Sequence, residues 1–587
     1  MKLHSKNKQI DTDIVNIKGG YACYVSGTGK LSYSIDIADT SEYMAIENHS
    51  PFWCRPFWGR SLSELPEIVQ ALLIKNGDSY IYYLPVCDSV FKTIIRGKDG
   101  GFEFYTYSNC DSVTECNHQL AFICLEGKDP LALMKEGARS VCKLFGNGLG
   151  LREEKTVPEV FNYLGWCSWD SMQIRVNHEG LLEKAREFKE KNVPVHFAII
   201  DDMWADVPHL NEIPADADFH TMVVNMHASK MRSFEGDPRR FPNGMKAAID
   251  DLKKEGIPTV GVWFPTTGYW AGLEPNESEA ERQKDNTVTL ENGQIIVAPE
   301  KEKAERYFDD LCSRVKEWGG DFVKIDNQGF HQRYEKIAPI GESARAIQSG
   351  IDKATDKYFD GALINCMGMP SECMFNRTSV VSRCSDDFIP ESREWFAKNI
   401  LQCSFNGLLQ GQFYVNDWDM WWTDDDQAVK NSLCRAISGG PIYVSDKIGR
   451  TDPEILKPLC FEDGRIIRPD ESATPTADCL MHNPTTTEKI FKIRNRIGDK
   501  GVCAVFNINA ENKPVSGTLS PTELGISEGK YAYYEYFTQE RGVLEKGDCI
   551  NISLNDNDEY RLYSFIPYSE KIDFGRTDKF MGSVMIK

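Results

Sequence analysis

Over residues 1 to about 150, apolar and polar positions alternate in short runs, "YACYVSG", "SYIYYLPVC", "GFEFYTYS" and "LAFICLEG", separated by Gly, Asn and Asp turns. A period of two is that of strands with one buried face, so the region 1–150 is predicted to be an antiparallel β-sandwich. It closes with a helical run, "PLALMKEGARSVCKLFG". From about 160 apolar strand-like segments alternate with segments of helical period, the pattern of parallel βαβ units. The strands are placed at "FNYLGWCSW", "VHFAIID", "PTVGVWF", "DFVKID", "GALINCM", "SVVSRCSDD", "FNGLLQGQF" and "PIYVSD". Between them, Leu181, Ala185 and Phe188 share a helix face, as do Met245, Ala248, Ile249 and Leu252, and Ala304, Phe308, Leu311, Val315 and Trp318. Further helices are expected near 342–359, 391–403 and 424–438. Eight strands with interposed helices predict an α/β fold, a central (β/α)8 TIM barrel over 151–480. A doubly wound open sheet is the alternative. Beyond about 485 the β pattern returns in "KGVCAVFNIN", "KYAYYEYFT", "CINISL" and "YRLYSFIPY", predicting a small C-terminal β-sandwich domain over 481–587.

The length of 587 residues suits several domains, and 41% apolar with 26% charged residues is the balance of a globular protein. A net charge of −21 argues against nucleic acid as partner, because phosphate binding needs clustered Lys and Arg. The opening "MKLHSKNKQIDTDIVNIKGG" has no signal-type apolar core, and no window approaches a membrane span, so a cytoplasmic location and no membrane partner are expected. The 18 cysteines are scattered, several inside apolar runs, and show no zinc-type spacing. They are read as buried small hydrophobes in a reducing compartment, and the sequons at Asn276 and Asn376 as silent. A homo-oligomer is compatible with the chain.

Chemistry in such a barrel sits at the C-terminal strand ends, and these are acidic. "AIIDDMW" carries Asp201 and Asp202, "VKIDNQ" Asp326, "SRCSDDF" Asp386 and Asp387, and "FYVNDWDMWW" Asp417 and Asp419. Trp166, Trp169, Trp204, Trp263, Trp418, Trp421 and Trp422 accompany them. Carboxylates accept hydrogen bonds from hydroxyls while indoles cover C–H faces, which together suit a neutral sugar. Glycoside hydrolysis also needs two carboxyls in different protonation states, ~5–6 Å apart in retaining enzymes. On that reading Asp326 stays ionised to attack the anomeric carbon. Lys324, on the same strand face, lowers its pKa and bonds a sugar hydroxyl. The Asp386-Asp387 pair supplies the proton-bearing partner.

Plainer readings compete. A strand-end Asp is often a helix N-cap or loop acceptor, "IDD" alone could hold an oxygen-ligated metal, and any one Trp could be core. Asp424 to Asp426 are read as capping the next helix. The histidines His178, His196, His209, His220, His227 and His331 form no HExxH cluster, and "GLLQGQ" lacks the P-loop lysine. Against these readings stands the coincidence of at least four acidic strand ends in one barrel.

The ordered set "GWCSWDSM", "IIDDMW", "GVWFP", "VKIDNQ", "INCMGM", "SRCSDDF" and "RAISGGPIYVSDKIG" resembles the raffinose synthase and alkaline α-galactosidase branch of glycoside hydrolase family 36 over residues 160–450. The resemblance implies a retaining α-glycosidase acting on α-galactosides, with no metal or other cofactor. It implies Asp326, the aspartate of a K-x-D motif, as nucleophile and an acid/base from "RCSDDF". An arginine three residues ahead of the acid favours Asp386, whereas an R-x-x-x-D spacing from Arg383 selects Asp387; Asp386 is preferred. Asp201 and Asp202 would grip the galactose 4- and 6-hydroxyls, with Lys324, Arg383, Trp166, Trp263 and Cys366 lining that subsite. The chain is shorter than plant members, and "SRCSDDF" and "DNQGF" differ in detail from their motifs. The expected function is hydrolysis of terminal α-galactose from a small carbohydrate substrate. Its rivals are a raffinose-synthase-type galactosyltransferase, an enzyme for another hexose such as N-acetylgalactosamine, and a non-catalytic carbohydrate-binding protein.

Overall fold

The computed structural model describes residues 3–5, 10–35, 37, 40–214 and 217–585. Twelve strands between Leu3 and Gly127 join in one antiparallel sheet. Phe104 and Phe122 stack with ring centroids 3.9 Å apart although three strands separate theirs in hydrogen-bonding order, so the sheet doubles over on itself as a sandwich does. Val25, Tyr33, Leu72 and Phe91 fill the space between the layers. Alternate residues face the other way. Ile46, Leu73, Leu84 and Ile123 pack into the same core as the barrel, which fixes the sandwich against it.

Eight parallel strands form the barrel: β1 (Leu164–Cys167), β2 (Phe197–Ile200), β3 (Thr259–Pro265), β4 (Phe322–Asp326), β5 (Leu363–Asn365), β6 (Val381–Arg383), β7 (Val415–Asp417) and β8 (Ile442–Val444). Ladders run in sequence order from β1 to β7, and β8 returns to pair with β1. The base of the barrel is closed by rings. Phe197 and Phe322, the first residues of β2 and β4, meet edge to face at 5.6 Å, and Phe161 contacts both. Gly165 and Gly261 make room for them, since a Cβ there would stand 2.1 Å and 2.4 Å from the Phe197 and Phe322 rings. Apolar filling at strand starts and acids at strand ends give the barrel a greasy floor and a charged mouth.

The seventh strand is a correction. "FNGLLQGQF" lies in the helix Arg393–Leu409 and the 3-10 turn Gln410–Gln412, and β7 is the short "VND" that follows. This helix is apolar on several sides because it is enclosed: Phe405 meets Trp58 of the sandwich edge-on at 5.0 Å and stacks on Phe491 of the C-terminal sheet at 6.1 Å. From Asn399 on the helix is buried on every side, and such a stretch loses the polar stripe by which a helix is read.

The C-terminal sheet orders its strands as 474–475, 491–497, 500–506, 560–567, 531–535 and 541–544, with a two-stranded sheet of 515–519 and 550–554 beside it. Among the described residues, no helix is long and apolar enough to cross a membrane.

Candidate active site

A cavity of about 980 Å³ opens at the C-terminal mouth of the barrel, at the upper end of the range for small-molecule sites. Asp170, Asp201, Asp202, Trp263, Lys324, Asp326, Asp386 and Asp387 line it, with Trp169, Trp270 and Trp422. Asp326, at the end of β4, accepts N–H bonds from Trp263 at 2.9 Å and from its neighbour Asn327 at 2.7 Å. One donor on each oxygen fixes the plane of the carboxyl. Asn327 has a left-handed backbone, φ 56°, as do Met203, Met367 and Asp419, each within two residues of a barrel strand end or its acidic pair. Such turns carry strain that surrounding structure must hold, and here they aim main-chain N–H groups at carboxylates: Met203 at Asp202 and Asp419 at Asp417.

Lys324 does not bond Asp326. Its ammonium reaches past β3 to Asp201 at 2.8 Å, where the Cys167 thiol also donates. Burial opposes the charge on Lys324, but Asp201 foremost, and Asp326 more weakly, outweigh it and hold the lysine's pKa above its usual range. Strand alternation places Lys324 and Asp326 on one face but leaves open which carboxylate the long side chain meets, and the nearer partner lies past the end of β2.

Asp202 accepts the Tyr269 hydroxyl at 2.6 Å and the Trp270 indole N–H at 2.8 Å. Burial pushes its pKa up to about 7 despite those bonds. A folded-state pKa above the unfolded value means that the native state binds the proton more tightly, so this stabilisation is complete below about pH 4 and is lost as pH rises toward 7. Wild type is therefore expected to lose roughly 2 kcal/mol more stability between pH 5 and pH 7 than Asp202→Asn, whose amide cannot ionise. Thermal unfolding of both across that interval checks this, and parallel pH profiles would refute it.

Asp386 and Asp387 have different surroundings. Asp386 faces the His49 ring at 3.1 Å and takes the Gln402 side-chain oxygen on its main-chain N–H. Asp387 bonds the Arg383 guanidinium at 3.0 Å, and its side chain stays 61% open within the cavity. Enclosure by the cavity walls raises its pKa, Arg383 opposes this and Asp326 adds to it. Arg383 is shared, since it also grips Asp419 at 2.5 Å.

Trp166, Arg383 and Cys366 do not line the cavity; Arg383 is buried behind Asp387 and Asp419, with which it pairs. In β1, Cys167 points inward to Asp201, so Trp166 points outward, where its ring meets Phe188 of the first barrel helix edge-on. Trp169, beyond the strand end, is the indole of β1 that faces the cavity. Cys366 is buried behind the wall, with the Arg383 guanidinium 3.9 Å from its sulfur. Trp204, Trp418 and Trp421 are fully buried core. Asp417 accepts the Tyr443 hydroxyl at 2.7 Å and is likewise buried. Of the run Asp424 to Asp426, only Asp425 reaches the start of the next helix, through the Gln427 N–H; Asp424 and Asp426 pair with Arg450 and Arg393. Among the described residues, no group of three or more His, Cys, Asp or Glu could hold a metal ion.

Sequence reasoning missed one wall altogether. A strap, His49 to Trp53, joins the sandwich strands Thr40–Asn48 and Cys54–Ser61 and enters the barrel mouth, where Ser50, Pro51, Phe52 and Trp53 line the cavity. Met369 N–H bonds the Phe52 carbonyl at 3.2 Å and Asn406 bonds that of Cys54 at 2.8 Å. Gly329 admits it: a Cβ there would lie 2.2 Å from the Pro51 carbonyl oxygen. Trp395, whose indole donates to the Asp387 carbonyl at 2.7 Å, and Phe388, Ile389 and Pro390 complete that side.

The family described as raffinose synthase or seed imbibition protein Sip1 matches residues 17–513. A galactinol–sucrose galactosyltransferase of Pisum sativum is 28% identical over 515 residues, 79% of this chain and 64% of that protein, so the chain spans less than two thirds of that relative's length. A stachyose synthase of Pisum sativum is 25% identical over 94% of this chain and 81% of its own. Among solved structures, the family 36 α-galactosidase AgaA of Geobacillus stearothermophilus superposes with a TM-score of 0.54 at 10% identity, over 96% of this chain and 87% of that one, a likeness of fold. With a match that runs from the sandwich through the whole barrel into the C-terminal sheet, the chain belongs to the raffinose synthase or seed imbibition protein Sip1 family.

Proposed function

We propose that this protein is a retaining enzyme that removes terminal α-linked galactose and passes it to an acceptor through a covalent galactosyl-enzyme. The observation that carries the reading is the pair Asp326 and Asp387 on one cavity: one carboxyl is held by two N–H donors, and the other, beside it, is pushed toward its protonated form. Two carboxyls so differentiated meet the requirement of double displacement. Asp387 gives its proton to the glycosidic oxygen as Asp326 attacks the anomeric carbon, forming a β-galactosyl ester and releasing the aglycone. Asp387, now a carboxylate, then takes the proton of the incoming hydroxyl. The surroundings favour Asp387 over Asp386 as acid/base because Asp386 is engaged by His49 and Asp387 is open to the cavity. Asp201 and Asp202, with Lys324, supply hydrogen bonds for sugar hydroxyls.

Water and a second sugar compete for the same intermediate. Two observations support transfer to a saccharide over the hydrolysis expected from sequence. Relatives carry the names galactinol–sucrose galactosyltransferase and stachyose synthase, and the cavity extends past the acids to the Phe52, Trp53 and Trp395 wall, suited to stacking an acceptor. With galactinol as donor and excess sucrose, the trisaccharide product is expected to exceed free galactose in chromatographed reactions. Free galactose alone would reject transfer in favour of hydrolysis, and no turnover of any α-galactoside would leave a carbohydrate-binding protein.

A further inference from the structure

We propose that Asp170 is an additional substrate-binding residue, a neutral carboxylic acid that donates a hydrogen bond to an oxygen of the bound sugar and so helps select it. The inference rests on the reading of the cavity as an α-galactoside site. Asp170 sits on the short turn Trp169–Met172 after β1, is buried and lines the cavity. Its carboxyl Oδ2 accepts the Ser445 hydroxyl at 2.9 Å, and Ser445, next to β8, is itself fixed by its N–H on the Trp421 carbonyl.

The other acids of the cavity are served differently. Asp201 has Lys324, Asp387 has Arg383, Asp386 has the His49 ring, Asp202 has an indole and a phenol, and Asp326 has two N–H donors. Among the described residues, no cation or N–H bonds Asp170. The charged groups that face it are Asp419 and Asp387, which disfavour a third negative charge, and Lys324, which favours one but is committed to Asp201. Arg383 is divided between Asp419 and Asp387. Burial first, and these carboxylates next, push the Asp170 pKa up to about 8. With Oδ2 accepting from Ser445, Oδ1 carries the proton and acts as donor. A carboxylic acid kept neutral in this way supplies a hydrogen-bond donor, which an ionised carboxylate cannot.

The test has two independent readouts. Infrared difference spectra of ligand-free wild type against Asp170→Asn are expected to show a protonated-carboxyl band at neutral pH that titrates away near the pKa of about 8. No such band would overturn the proposal. In kinetics, Asp170→Ala is expected to raise KM for an aryl α-galactoside by about tenfold, more than it lowers kcat, as for one lost hydrogen bond in a closed site. Asp170→Asn, whose amide also donates, is expected to recover most of that loss and to lack the alkaline rise in KM expected of wild type. Asparagine as damaging as alanine would overturn the donor role. Were wild type to turn over no α-galactoside, the functional reading would fall by itself while the infrared band still decided the protonation.

Discussion

Asp326→Gly is expected to lower turnover of an aryl α-galactoside by at least ~10⁴-fold, because the covalent route is lost while binding remains. Removing the side chain leaves space beneath the anomeric carbon, flanked by the Trp263 and Asn327 N–H groups that held the carboxyl. Azide can occupy that space and attack directly, so added azide is expected to restore turnover and yield β-galactosyl azide. The signature is stereochemical, and NMR of the product reads it. Near-wild-type activity in the variant, or azide acceleration giving only the α-anomer, would remove Asp326 from the nucleophile's position.

The second large effect separates the adjacent acids. Asp387→Ala should cost ~10²- to 10⁴-fold in kcat/KM toward galactosides with poor leaving groups, the usual contribution of a general acid. An aryl galactoside with a good leaving group needs little protonation, so its first step is spared, the galactosyl-enzyme accumulates and kcat falls with KM. Azide then relieves the second step and gives α-galactosyl azide, the opposite anomer to that from Asp326→Gly. Asp386→Ala loses the contact to His49 on the sandwich strap and is expected to alter KM without such dependence on the leaving group. A Brønsted plot over a series of aryl galactosides distinguishes the two, and a steep slope for Asp386→Ala with a flat one for Asp387→Ala would exchange their roles.

The barrel was legible because parallel strands buried on both faces are written as apolar runs, and helices between them as a 3.6-residue period. Where that reading failed, the cause was burial. The end of the helix Arg393–Leu409, beyond the expected 391–403, lies between barrel, sandwich and C-terminal sheet, has no polar stripe and passed for a strand, while β7 itself is three residues, two of them polar. The acids were legible by position, since strand ends face the mouth. The same rule extended by three residues past β1 would have reached Asp170, and strict alternation along β1 would have excluded Trp166. Partners across the barrel were not legible. Lys324 is two residues from Asp326 in sequence, yet its ion pair is with Asp201, just past the end of β2, a strand that is not the neighbour of β4 in the sheet. The strap His49 to Trp53 left no local signal at all, because what makes it part of the site is Gly329, some 280 residues away, which lets its backbone come close.

The central claim, that the sugar is carried on the carboxyl of Asp326, is tested most directly by trapping. An activated fluorinated α-galactoside, slow in its second step, is incubated with the protein, and the digested protein is sequenced by mass spectrometry. The account predicts one stoichiometric label, on the peptide containing "VKIDNQ", with the added mass on Asp326 and protection by a competing galactoside. A label on another carboxylate, or continued turnover of the reagent with no labelled peptide, would contradict it.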